Sequence, residues 1–125
     1  MGNVAGTWLL KRVEYQNSLG EPIVINDLGT TLTFHKINDG KKTGTSNKNG
    51  QLLNFEYSFD FSSSTCDLHF KVSDRMLMST EAIGKVQVYN FRFVNPKIIE
   101  FYIDKEFDYS TKQVIKNIKY TFTKM

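Results

Sequence analysis

Apolar and polar residues alternate along most of this chain with a period of two, in short runs broken by turn signals. The clearest run holds Leu53, Phe55, Tyr57, Phe59 and Phe61 at every second position, with Asn54, Glu56, Ser58 and Asp60 between them. Successive side chains of a strand point to opposite faces, so this run predicts a half-buried strand with one aromatic face. Other runs read the same way. Thr7 to Tyr15 puts Trp8 and Leu10 on one face and Lys11 on the other, and Thr30 to Lys36 pairs Leu32 with Phe34. Cys66, Leu68, Phe70 and Val72 alternate against Asp67, His69 and Lys71. Tyr89, Phe91 and Phe93 oppose Val88, Asn90 and Arg92, while Ile99, Phe101 and Ile103 oppose Ile98, Glu100 and Tyr102. The last run sets Val114, Ile118, Tyr120 and Phe122 against Asn117, Lys119, Thr121 and Thr123.

The segments between these runs are less regular. Ile23-Val24-Ile25 reads as a strand or an extended crossing, and Met76-Leu77-Met78 as a short strand. Lys41 to Asn47 is polar, contains Gly44, and is expected to be exposed or at a mouth. Asp39-Gly40 and Asn49-Gly50 are tight-hairpin signals, because a type I′ turn needs positive φ at both central residues. Loops are expected at Asn17 to Pro22 and at Asp104 to Lys112. Long helical periodicity is absent. Sequential hairpins without a crossover helix predict an all-β, antiparallel up-and-down arrangement, and about eight strands favour closure into a barrel with no exposed edge.

Composition narrows the function classes. The 125 residues suit a single domain spanning the chain, long enough for a core without staples. Ten Phe and six Tyr argue against disorder. The net charge of +3, with signs mixed along the chain, lacks the clustered basic footprint of a nucleic-acid binder. No apolar run is long enough for a helical membrane span, and one cysteine, Cys66, rules out an intramolecular disulfide. Met1-Gly2 opens no myristoylation signal, because Gly6 stands where Ser or Thr belongs, and no signal peptide is present in this chain.

An ordered set of short motifs carries a resemblance. Gly6-Thr7-Trp8 opens the first strand, continued by Leu10 and Val13. Leu32-Thr33-Phe34 and the Asp39-Gly40 turn follow, and Tyr120-Thr121-Phe122-Thr123-Lys124 ends the chain. In this order the chain resembles the bacterial lipocalin-like domain family. The resemblance implies an eight-stranded barrel of the lipocalin or fatty-acid-binding-protein type. It also implies export to the periplasm or outer membrane, with a lipid anchor belonging to an unprocessed precursor. It gives Gly6 and Trp8 a structural role, with Trp8 closing the barrel base against a basic side chain of the last strand. No arginine follows Arg92, so Lys124 or Lys119 would take that place.

Chemistry is sparse. His35 and His69 lie on different predicted strands with no ligand spacing around them, so no metal is expected. Cys66 falls on the apolar face of its strand and reads as a buried, inert thiol. Asp104, Glu106 and Asp108 resemble the start of a calcium loop, but Tyr109 stands where glycine belongs and Ile115 where the bidentate glutamate belongs. No catalytic constellation and no cofactor motif is found, so an enzyme is not expected. The aromatic faces are the feature with functional reach. Tyr57, Phe59, Phe70, Tyr89, Phe91, Tyr102, Tyr120 and Phe122 are candidates to line a cavity for a small hydrophobic or amphipathic molecule, or equally to fill a solid core. Arg92 would anchor a carboxylate if it points inward, and belongs to the surface if it points outward. Three readings follow: a lipocalin-like carrier or sensor; an interaction or inhibitor module with a filled barrel and functional loops; and, least favoured, an oligonucleotide-binding barrel.

Overall fold

The computed structural model describes residues 4–26, 29–36, 40, 42–48, 50–70, 86–108 and 113–125. Their regular structure is entirely strand: β1 (Gly6–Gln16), β2 (Pro22–Asn26), β3 (Thr30–Phe34), β4 (Thr43–Lys48), β5 (Gln51–Asp60), β6 (Thr65–Phe70), β7 (Val86–Asn95), β8 (Ile98–Asp108) and β9 (Gln113–Lys124). Each strand from β3 to β9 is antiparallel to the next, and β9 pairs back onto β1. That pairing closes the barrel. β3 pairs with Gly6–Leu9 at the start of β1, whereas β2 pairs with Arg12–Gln16 farther along it. The molecule is therefore an eight-stranded closed antiparallel barrel with one extra strand, β2, beside the far half of β1. Ile23-Val24-Ile25 belongs to that strand.

Alternation places the core. Trp8, Leu32, Phe34, Phe55, Cys66, Tyr89, Ile99, Phe101, Tyr120 and Phe122 are all at most 1% exposed and form one apolar cluster. Two bulges break strict alternation. In β1 the register shifts between Leu10 and Arg12, so Leu10 and Val13 both point inward although they are three positions apart. In β9, Asn117 has a φ of 51°, and Ile115 and Ile118 are both buried across it. Simple alternation from Ile118 assigns Val114 to the inner face. The bulge reverses this, leaving Val114 exposed and Ile115 inside.

Two further expectations change. β4 is not an exposed strand. Gly44 and Ser46 are buried, because a glycine and a serine leave room for large rings from neighbouring strands. The Asp104 to Lys112 segment is mostly strand, since β8 runs to Asp108 and β9 begins at Gln113. Among the described residues the β3–β4 pairing reaches the bond from His35 N to Thr43 O, 2.9 Å. Gly40 and Gly50 have positive φ, as turns there require, while Asp39, Asn49 and Met76 to Met78 lie outside the described residues.

Candidate functional site

One end of the barrel is packed with rings. The Trp8 indole lies 6.2 Å from Phe93, and its Nε1 donates to the Val4 carbonyl oxygen at 2.9 Å, drawing the N-terminal segment onto this end. Val4 packs against the core cluster. Lys124 Nζ sits 5.6 Å from the Trp8 ring centroid, so of the two candidate lysines it is Lys124 that meets the tryptophan. Gly6 makes room for it. A β-carbon there would stand 3.2 Å from the Lys124 Cε, and the Gly6 φ of 123° is a value side-chain-bearing residues rarely adopt. Farther across, Phe59 meets Phe91 edge-on at 5.0 Å and stacks on Phe61 at 6.0 Å.

The candidate lining residues divide by face. Tyr57, Tyr89, Phe91, Tyr120 and Phe122 are buried inside, and Phe59 is half-buried and packed against them. Tyr89 lies 6.0 Å from Phe101 and 6.1 Å from Tyr120. Tyr57 is anchored by its hydroxyl, which donates to the His35 carbonyl oxygen at 3.0 Å, and burial raises its pKa. Phe70 is on β6, but its side chain lies outside the described residues. Arg92 and Tyr102 do not join this group. Arg92 is exposed, and both side chains take part in a network on the outer wall, so neither lines the interior. Phe34, Phe55 and Phe101 are buried inside as well. Their alternation marks them in the sequence just as clearly, yet they are absent from the candidate set.

The outer network centres on Glu100, whose side chain is only 9% exposed although it faces away from the core. Arg92 donates to its Oε1 from Nε at 3.2 Å and from the terminal nitrogen Nη2 at 2.8 Å, and the Tyr102 hydroxyl donates to the same oxygen. Lys119 Nζ lies 3.7 Å from the other carboxylate oxygen and 3.6 Å from Glu14. Burial pushes the Glu100 pKa up, but the Tyr102 and Arg92 hydrogen bonds and the Lys119 and Arg92 charges outweigh it, and the net shift is downward. Burial and the Glu100 carboxylate raise the pKa of Tyr102. The arrangement joins β7, β8 and β9 from outside. It was invisible in sequence because the Arg92–Glu100 pair depends on strand register.

A cleft of about 420 Å³ lies at the β1, β8 and β9 wall, lined by Glu14, Gln16, Tyr102, Asp104, Asn117 and Lys119 among others. The inward Tyr15, Ile103 and Ile118 alternate with these polar residues, which places the polar groups on the outer face. A second opening of about 520 Å³ follows the Asn95–Ile98 turn beside Thr123 and Lys124. Among the described residues no group of three His, Cys, Asp or Glu side chains could hold a metal. Burial pushes the Cys66 thiol well up, which suppresses its thiolate. No family model, no curated protein and no solved structure matches this chain.

Proposed function

We propose that this protein is a non-enzymatic binding barrel of the lipocalin-like type, taking a small apolar or amphipathic ligand in the half of its interior away from Trp8. The observation that carries the reading is a change in the lining along the barrel among the described residues. Trp8, Phe59, Phe91 and Phe93 crowd one end in ring-to-ring contact. Away from that end, the inward positions include Ile103, Ile115 and Ile118 with Thr30 and Tyr15. An apolar wall with a few hydroxyls suits a ligand held by apolar area and oriented by one or two polar contacts. The lipocalin-like resemblance, with export as its corollary, supports the same reading through Gly6, Trp8 and the terminal Lys124.

A second reading has an observation of its own. The rings from Phe34 through Tyr57 and Phe59 to Phe101 lie 5.0 to 6.3 Å apart, which favours a filled barrel acting through its surface and loops. The described loop then in question is Asn17 to Pro22, since Lys41 to Asn49 is mostly strand β4 and the residues between β8 and β9 lie outside the described ones. Titration with an environment-sensitive fluorescent fatty-acid probe, followed by competition with a mixed lipid extract, separates the two. The carrier reading expects saturable one-to-one binding that the extract displaces. An absence of saturable binding refutes it and leaves the interaction module.

A further inference from the structure

The strand order puts the β3–β4, β5–β6 and β7–β8 connections at one end of the barrel, together with the start of β1 and the end of β9. This is the Trp8 end, and its row of rings reaches the surface. Phe61, 41% exposed, follows the last residue of β5 and meets Phe91 edge-on at 5.4 Å. Phe91 meets Phe93 at 6.0 Å, and Phe93 meets Trp8. Val94, beside Phe93, is 49% exposed, and Pro96 in the turn to β8 is exposed as well. The buried rings hold the row in place, so Phe61 and Val94 stay at the rim instead of folding into the core. An isolated exposed apolar residue is ordinary, but here the exposed members continue a packed row of rings.

Lysines surround the row. Lys36 and Lys42 in the β3–β4 connection and Lys97 in the β7–β8 turn are exposed, and Lys124 lies over Trp8. Backbone contacts fix their places. Tyr57 N donates to the Lys42 carbonyl oxygen at 2.9 Å, and Lys124 N donates to that of Lys97 at 2.8 Å. Lys97 and Lys124 both border the opening of about 520 Å³ at this end. Among the described residues, the carboxylate at a strand tip here is Asp60, whose Oδ1 accepts from Ser62 N at 3.0 Å and Ser62 Oγ at 2.6 Å. Glu56, Asp67 and Glu100 lie within their strands on the outer wall, and Glu100 is bound by Arg92. The rim is therefore apolar at its tips and basic around them.

We propose that the Trp8 end of the barrel docks on an anionic lipid surface, with Phe61 and Val94 entering the headgroup boundary and Lys36, Lys42 and Lys97 meeting the phosphates. Such a surface takes both features at once. Apolar side chains leave water at the acyl boundary, while lysine stems run along it and keep their ammonium groups at headgroup level. Negative lipid attracts each nearby lysine, and salt screens the attraction. A second copy of the chain fits less well, because a symmetric rim-to-rim contact brings the same lysines against one another. The proposal does not depend on what the barrel interior holds.

The test uses the full chain with an environment-sensitive fluorophore on Val94→Cys, and separately on Leu19→Cys in the β1–β2 loop at the opposite end. Leu19 is 82% exposed, and native Cys66 is 0% exposed, so labelling is confined to the new thiol. Circular dichroism confirms the fold of each variant. Each protein is titrated with vesicles of phosphatidylcholine alone and of phosphatidylcholine mixed with phosphatidylglycerol, at low and high salt. The expected result is a saturable blue shift of the Val94 label with the anionic vesicles, reduced at high salt, while the Leu19 label stays unmoved. Lys36→Gln and Lys97→Gln should each weaken the partitioning of the labelled chain by about five-fold. An absence of vesicle binding overturns the proposal, as do equal shifts at both ends, or binding indifferent to salt and to both lysine variants. A concentration-dependent shift of the Val94 label without vesicles assigns the rim to a second copy and overturns it too.

Discussion

Gly44 supports a sharp prediction about how the barrel is filled. A β-carbon built there falls 2.3 Å from Cζ of Phe55 and 2.6 Å from the carbonyl oxygen of Thr33. Phe55 is 1% exposed and meets Phe34 edge-on at 5.5 Å, so its ring cannot retreat without disturbing a second one. The Thr33 oxygen belongs to the β3 backbone, whose register with β4 is set by Thr33↔Thr45 and Phe34↔Gly44. Replacing glycine by alanine restricts the unfolded chain, a gain of about 0.4–1 kcal/mol where the native backbone tolerates it. Forcing a methyl into a packed core costs about 1–3 kcal/mol. The steric cost wins, and Gly44→Ala is expected to lose about 1–2 kcal/mol, which lowers Tm by roughly 3–8 °C in a chain of this length. Phe55→Leu alone is expected to cost about 1–2 kcal/mol. Combined, the two should cost about 1 kcal/mol less than their sum, because the shorter side chain vacates part of the space the methyl needs. Equilibrium urea unfolding of the four proteins measures this cycle. A neutral or stabilising Gly44→Ala, or strict additivity, would refute the close packing of Phe55 over β4.

Other expectations follow from single residues. Asn117→Val should lose about 1–3 kcal/mol, because a β-branched residue resists the positive φ of the β9 bulge, whereas Asn117→Gly should stay close to wild type; thermal unfolding of both checks this. Glu100 has a folded pKa below its ordinary value, so its contribution to stability is present above about pH 4.3 and lost as pH falls through the lower folded value. Chemical unfolding across that range should show the wild type losing more stability on acidification than Glu100→Gln, and parallel profiles would contradict the network's role. Cys66, fully buried with its pKa pushed well up, should react with an aromatic disulfide reagent only as fast as the native chain opens, so mild denaturant should accelerate the reaction steeply.

Much of the barrel was legible because period-two alternation is a direct consequence of strand geometry. The faces of β5, β7 and β8 came out as read, with Phe55 and Tyr57, Tyr89 and Phe91, and Ile99 and Phe101 inside. The bulges were not legible. Nothing local separates Val114 from Ile115, and the choice between them is made at Asn117, which adopts a left-handed conformation where β9 keeps its register on β8 while its register on β1 shifts. The polar β4 misled because small side chains read as surface, whereas Gly44 and Ser46 are inside where rings from facing strands occupy the volume. For the candidate site, alternation found five of the fully inward rings, but Tyr102 was set among them while belonging to the outer clamp with Arg92. That clamp is a property of strand pairing, which no local pattern encodes.

The most direct measurement of the central claim is residue-resolved: proton–nitrogen correlation NMR of the labelled protein, titrated with a medium-chain fatty acid. Saturable shifts at Tyr15, Tyr89, Ile103, Ile115 and Ile118, with the Trp8 indole signal unmoved, are the result this account predicts. Shifts centred on Trp8 and Phe93, shifts confined to the outer face around Glu14 and Lys119, or no saturable change would contradict it.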